Sequence, residues 1–267
     1  MSNSNFVLDD PELLDNDSLS LYARNNKALQ LVYHMDSAIS DASKHSSKLP
    51  VSMTRDSIID GYIQPEDRLL GFSGACFRHM MNNLCSLKDA NYLEVGVYKG
   101  STLISSVYGN EDTLGEVHAI DNYSEFASED PNAMSPKQEY AKNLNMFLPN
   151  TKNKIQFYEA DCFKFDRSKL PKIDIYFYDG EHSAESQYQA FKYFEPVFAD
   201  TFITVIDDWV QGQVRKGTRR AYEEIGYDVI ASRAIIPGKG HGLNRVNNPC
   251  PEWWCGTHIA VLQKRKI

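Results

Sequence analysis

The chain has 267 residues, a formal charge of −8 and a pI near 5.4. That length can bury a full core as one domain with an N-terminal extension, and the acidic balance disfavours duplex nucleic acid or an anionic membrane as the main partner. Five cysteines, an odd number at positions 76, 85, 162, 250 and 255, argue against a disulfide framework and for a reducing, cytoplasmic setting.

The segment Met1 to Asp17 is polar and acidic without a charged-then-apolar leader pattern, and no apolar run is long enough to span a bilayer. Residues 1–64 read as a helical extension or cap, with Leu13, Leu21, Ala28, Leu29, Val32 and Met35 recurring at near-helical spacing. Pro65 to Leu84 predicts a second amphipathic helix leading into a domain over 65–267. Tyr62, Phe72, Arg78 and His79 are candidates to touch a substrate or simply to pack, and the extension is also a candidate homodimer contact.

Next comes Tyr92-Leu93-Glu94-Val95-Gly96-Val97-Tyr98-Lys99-Gly100-Ser101-Thr102, an apolar strand running into an acid and a Gly-x-x-x-Gly turn that opens a helix. Gly96 permits a tight turn close to a ligand, Gly100 removes a Cβ where helix meets strand, and the first helical N–H groups are unpaired. Val117 to Asp121 is a second strand, ending in an acid suited to a ribose diol, and Ile155 to Asp161 a third, whose acid suits an adenine amino group. Tyr98 stands where the dinucleotide fingerprint needs a glycine, so the turn suits a nucleoside with a cationic amino acid tail better than a pyrophosphate. The acidic segment Asn122 to Pro136 that follows the second strand is a candidate lid.

Four more strands follow: Ile173 to Asp179, Phe202 to Asp207, Tyr227 to Ile236 and Thr257 to Gln263. Helices at Pro136 to Phe147, Ala184 to Phe194 and Val214 to Ile225 alternate with them, which predicts an α/β, Rossmann-like doubly wound sheet. Only a Gly/Pro-rich connection, Pro237 to Gly256, separates the last two strands, so the seventh returns antiparallel beside the sixth. The fourth strand ends at Asp179-Gly180-Glu181-His182 and the fifth at Asp207-Asp208. Neighbouring strand ends would bring Asp179, Asp207 and Asp208 together as oxygen ligands for Mg²⁺ or another divalent cation. The plain alternative is a solvated acidic rim with Arg215, Arg219 or Arg220 as counter-ions. Cys250 and Cys255 with His241 and His258 form an irregular zinc-like spacing, and Trp253 and Trp254 suit a site mouth or a partner subunit.

From Tyr92 to Lys264 the chain resembles the class I S-adenosylmethionine-dependent methyltransferases, on the acid-x-Gly-x-x-x-Gly motif ending the first strand. The resemblance implies that S-adenosylmethionine is held by Glu94, Gly96, Tyr98, Gly100, Ser101, Thr102, Asp121, Asp161, Cys162 and Asp179. The acid pattern is similar to metal-dependent O-methyltransferases of the catechol type and of the macrolide-sugar and aminocoumarin-sugar type, which carries their ligands onto Asp179, Asp207 and Asp208. The catechol type places a lysine base where His182 stands and the sugar type a carboxylate where Glu181 stands, with neither base kept in full; His182 is the first choice of base and Glu181 the second. The implied activity is methyl transfer to a hydroxyl of a small molecule, with Mg²⁺ assisting and no nucleic-acid or membrane partner. A metal-independent methyltransferase acting on nitrogen or a carboxylate, or a non-catalytic cofactor-binding module, are the alternatives.

Overall fold

The computed structural model describes residues 26–54, 69, 71–124, 133–151, 154–236 and 251–265. Its strands are β1 (Tyr92–Val95), β2 (Val117–Asp121), β3 (Ile155–Glu159), β4 (Ile173–Tyr178), β5 (Phe198–Ile206), β6 (Tyr227–Ile235) and β7 (Thr257–Lys264). They form one mixed sheet in the order β3-β2-β1-β4-β5-β7-β6. The helices are α1 (Lys27–Ala42), α2 (Val51–Thr54), α3 (Ala75–Leu84), α4 (Ser101–Val107), α5 (Pro136–Phe147), α6 (Ala184–Phe194) and α7 (Gly212–Glu224). The expected Rossmann-like α/β architecture is therefore present, including the antiparallel last strand, since β7 runs against both β5 and β6.

The chain divides into two compact units, Ala38–Asp166 and Met1–Ser37 with Arg167–Ile267. In the first, β1, β2 and β3 pair in parallel, with Tyr92 opposite Val117 and Val117 opposite Ile155. All four residues of β1 are buried, as expected of a strand covered on both faces. Helix α5 starts where its sequence says it should: Ser135 caps it, Gln138 completes a capping box, and Pro136 occupies the first turn, where no N–H is missed.

The second unit holds an aromatic core in which Tyr176, Phe191, Phe194, Phe198 and Phe202 are fully buried. Helix α7 carries Gly217 in its interior, where glycine costs about 1 kcal/mol relative to alanine. The reason is contact with α6: a Cβ at Gly217 would lie 2.2 Å from the Ala184 carbonyl oxygen. Tyr178 pairs with Ile206 across β4 and β5, so the residues that follow each strand emerge side by side.

Some sequence-based bounds shift. The helix expected over Pro65 to Leu84 begins at Ala75, after the extended N-cap Gly74. Strand β5 begins at Phe198, earlier than its apolar run indicates, because exposed Asp200 interrupts the pattern. Helix α1 buries Ala28, Leu31, Met35, Ala38 and Ala42 at helical spacing, leaving Leu29 and Val32 half-buried beside that stripe. Leu13, Leu21, Tyr62, His241, Cys250, the boundary between residues 64 and 65, and most of both the candidate lid and the Pro237 to Gly256 connection lie outside the described residues. Among the described residues no helix is long and apolar enough to cross a membrane.

Candidate functional site

In the first unit the chain leaves β1 through a turn with three left-handed residues: Gly96 at φ +90°, Tyr98 at +50° and Gly100 at +80°. Such a path is strained for Tyr98 and needs external support. Asp121, at the carboxyl end of β2, provides it. Its Oδ2 accepts hydrogen bonds from the amides of Val97 and Tyr98, both at 2.7 Å, and its Oδ1 accepts from Tyr123 at 2.7 Å. A carboxylate has roughly four acceptor positions, so about one remains for a ligand. The expected ribose acid is thus first of all the brace of the glycine turn.

Around this turn the other expected cofactor residues take distinct places. Glu94 is fully buried and its Oε2 accepts a 2.5 Å hydrogen bond from the Tyr92 hydroxyl. The Tyr98 ring stacks on Phe72 with centroids 5.1 Å apart, and the Lys99 ammonium lies over the Tyr98 ring, 5.3 Å from its centroid, while pairing with Glu139 at 2.8 Å. Ser101 and Thr102 are buried in the first turn of α4, and Ser101 Oγ lies 3.3 Å from Ser73 Oγ. Asp161 follows β3 rather than ending it, and is held below the usual carboxylate range by Lys164 at 2.9 Å and by the Phe163 amide. Burial pushes the Cys162 thiol up to about 12, so it is an inert thiol rather than a nucleophile.

Two residues that the motif reading passed over complete the group. The hydroxyls of Tyr123 and Tyr140 are shielded from solvent and have no hydrogen-bond partner, and both rings lean on Phe157, at 5.7 and 5.0 Å. The Tyr140 ring also meets the place where a Gly100 Cβ would stand, at 2.5 Å. Unsatisfied buried hydroxyls beside a braced, acid-lined turn are what a polar ligand with amino, ribose and purine groups would satisfy. The donor set therefore fits S-adenosylmethionine.

Phe72 is partly exposed, while Arg78 and His79 are buried. The Arg78 guanidinium bonds the Leu69 carbonyl and the Ser73 hydroxyl, and His79 Nδ1 lies 2.7 Å from Ser47 Oγ. Both hold the fold of this unit, which is the packing role weighed for them above.

In the second unit, Asp179 follows β4 and Asp207-Asp208 follow β5. The left-handed Asp208, φ +54°, turns its carboxylate towards His182. His182 Nε2 lies 2.9 Å from Asp208 Oδ2 and 3.7 Å from Asp179 Oδ1, and one ligand atom from each of the three residues falls within 4.8 Å of the others. Hydrogen bonds to Asp179 and Asp208 raise the His182 pKa to about 10, so without a metal it is an imidazolium bridging two carboxylates. Asp207 is buried beneath them, and burial followed by the Asp179 and Asp208 charges pushes its carboxyl well above the usual range. Of the three expected metal ligands, Asp179 and Asp208 converge with His182, and Asp207 is not part of that trio.

Other expected partners are engaged elsewhere. Glu181 is exposed and binds its own turn, accepting from the Ser183 amide at 3.0 Å and the Ser183 hydroxyl at 2.6 Å. Arg220 pairs with Glu185 and Glu224, and Arg215 donates to the Trp209 carbonyl, while His182 is the group paired with Asp179 and Asp208. Cys255 hydrogen-bonds Asp208, and burial beside the acids pushes its thiol up. No local motif signals that contact, because it forms where the 253–256 turn pairs its carbonyls with the Trp209 and Val210 amides. His258 stacks on Trp209 at 4.2 Å and Trp253 is core, while His241 and Cys250, the other members of the zinc-like spacing, lie outside the described residues.

Residues 93–209 match a family model described as a methyltransferase domain, and this span contains both groups of side chains. The chain is also similar in fold to the S-adenosylhomocysteine-bound methyltransferase PaMTH1 of Podospora anserina, at 14% identity and TM-score 0.50 over 96% of this chain and 100% of that one. The fold is thus the α/β, Rossmann-like methyltransferase fold, and the stretch similar to a methyltransferase domain spans somewhat under half of the chain. Weaker likenesses include a candidate O-methyltransferase of Klebsiella pneumoniae, at 13% identity and TM-score 0.47 over 93% and 96% of the two chains. Another is TrmN of Thermus thermophilus, at 12% identity and TM-score 0.46, where 71% of this chain spans 48% of that one. None of the curated proteins compared with the chain matches it. A fold shared this widely does not choose the acceptor, which has to be argued from the site.

Proposed function

We propose that this methyltransferase domain moves the methyl group of S-adenosylmethionine to a hydroxyl of a small molecule, assisted by a divalent cation. The observation that carries the reading is the convergence of Asp179, His182 and Asp208 within 4.8 Å, immediately after the strands that follow the cofactor motif. An oxygen acceptor, unlike a neutral amine, has to lose its proton to become a competent nucleophile, and a cluster of carboxylates and imidazole is built for that task.

The chemistry is an in-line displacement. The acceptor oxygen forms a bond to the methyl carbon as the sulfur–methyl bond breaks, the sulfonium becomes a neutral thioether, and the hydroxyl proton passes to a carboxylate of the cluster. A divalent cation, when bound, supplies Lewis acidity that lowers the hydroxyl pKa. Glu181 is occupied by Ser183, which favours the cluster over it as the proton acceptor. In the first unit Asp121 holds the turn, Glu94 and Asp161 supply acceptors for the cofactor's amino groups, and Tyr123 and Tyr140 offer their hydroxyls.

The net charge of −8 supports a small acceptor over a nucleic acid. The test is S-adenosylhomocysteine formation against a panel of hydroxylated small molecules, with wild type and Asp179→Asn, with and without a chelator. Turnover that needs both the carboxylate and the cation supports the reading. Turnover on amines alone, indifferent to chelator and to Asp179→Asn, would replace it with metal-independent nitrogen methylation.

A further inference from the structure

We propose that His182 is a metal ligand rather than a free base, and that Asp179, His182 and Asp208 select a nitrogen-accepting divalent cation of the Mn²⁺, Co²⁺ and Zn²⁺ class over Mg²⁺. This rests on the metal-assisted reading above and deepens it by naming the ligand set and the ion class. The carboxylates and the histidine come from β4, β5 and the turns after them, so the trio belongs to one unit of the fold.

The distances fit ligands sharing one ion. Metal–nitrogen and metal–oxygen bonds of about 2.0–2.2 Å place adjacent ligand atoms roughly 3.0–3.4 Å apart in octahedral or tetrahedral geometry. The observed separations from Nε2 are 2.9 Å to Asp208 Oδ2 and 3.7 Å to Asp179 Oδ1, which bracket that range. Nε2 is shielded from solvent, so the Asp208 and Asp179 carboxylate oxygens are the groups that face it.

A second layer is also in place. The Gln211 side-chain amide lies 3.3 Å from His182 Nδ1, and its backbone N–H donates to the Asp208 carbonyl at 2.9 Å. With the amide oxygen facing Nδ1–H, a choice that differs by one rotation of the side chain, the ring keeps its Nε2 lone pair for a cation. Cys255 hydrogen-bonds Asp208 from the opposite segment and orients that carboxylate. Two carboxylates and a neutral imidazole balance a 2+ charge. An imidazole donor favours Mn²⁺, Co²⁺ or Zn²⁺, whereas Mg²⁺ prefers an all-oxygen, water-rich shell.

The experiment is a Co²⁺ titration of the full chain followed by visible absorption, with Mg²⁺, Mn²⁺ and Zn²⁺ as competitors, on wild type, His182→Ala and Gln211→Ala. Binding of S-adenosylhomocysteine by each variant checks that it is folded. We expect ligand-field bands in wild type and displacement by Zn²⁺ but not by a ~1,000-fold excess of Mg²⁺. His182→Ala should lose about 100-fold or more in Co²⁺ affinity and Gln211→Ala about 10-fold, as outer-layer partners do. Equal Co²⁺ and Mg²⁺ binding, unchanged in His182→Ala, would overturn the ligand assignment while leaving a metal-assisted enzyme. Failure of wild type to bind any of the four cations, with S-adenosylhomocysteine binding intact, would overturn both this inference and the metal-assisted reading.

Discussion

The carboxylate of Asp121 accepts the backbone amide of Tyr98 at 2.7 Å, tying the end of β2 to a left-handed residue in the turn after β1. With the Val97 and Tyr123 bonds it makes three charge-assisted contacts to main chain, each worth about 1.5–3 kcal/mol in its own right. Replacing it with alanine frees the turn and unpairs three amides. Asp121→Ala should lose at least about 10-fold in S-adenosylhomocysteine affinity and roughly 2–4 kcal/mol of stability, read by calorimetry and urea unfolding. A variant with wild-type stability and weakened ribose binding alone would show that the carboxylate serves the ligand and not the turn.

Gly100 tests the same turn from its other end. At φ +80° a side chain is strained, and its Cβ would lie 2.5 Å from the Tyr140 ring. Gly100→Ala should destabilise by about 1–3 kcal/mol and weaken cofactor binding together, because the ring it displaces carries a hydroxyl of the candidate site. Unchanged thermal melting of this variant would contradict the close packing.

Gly217→Ala should also destabilise, by about 1–3 kcal/mol, although alanine is the better helix former. The clash with the Ala184 carbonyl in α6 outweighs the propensity gain of about 1 kcal/mol. Since these residues belong to helix packing and not to the cluster, cation binding at saturating protein stability should be retained. A rise in the melting temperature would refute this account.

His258 makes stability depend on pH. Burial, aided by the Arg219 charge, lowers its pKa to about 3, while the unfolded side chain titrates near its ordinary 6.5. Between these values the unfolded state binds the proton and the folded state does not. The contribution is therefore complete above pH 6.5 and is lost as pH falls towards 3, at about 1.4 kcal/mol per pH unit. Comparing urea unfolding at pH 7.5 and pH 5.0, this residue should account for roughly 2 kcal/mol, and His258→Gln should remove that share of the difference. Identical pH profiles in wild type and variant would place the acid sensitivity elsewhere.

Much of the fold was legible because the helical and strand periodicities are strong: α5 and α6 lie where their Ser-capped patterns place them, and the seven strands keep their order. Bounds failed where burial overrode local pattern, as at Asp200 inside β5. For the site, motif spacing placed Gly96, Gly100 and Asp121 at one turn, but the role of Asp121 as its brace depends on backbone direction, which no spacing encodes. The second group shows the same limit. Adjacent Asp207 and Asp208 look equivalent in sequence, yet one left-handed residue sends Asp208 to His182 and leaves Asp207 buried. Cys255 is a long-range partner of Asp208, and its contact follows from tertiary pairing alone.

The account rests most directly on cofactor recognition by the first unit. Calorimetric titration of S-adenosylhomocysteine into the full chain should give one site per chain with micromolar affinity, reduced at least ~10-fold by Asp121→Ala. Absence of binding by the wild-type chain at millimolar nucleoside would contradict it, and with it the methyl-transfer chemistry proposed for Asp179, His182 and Asp208.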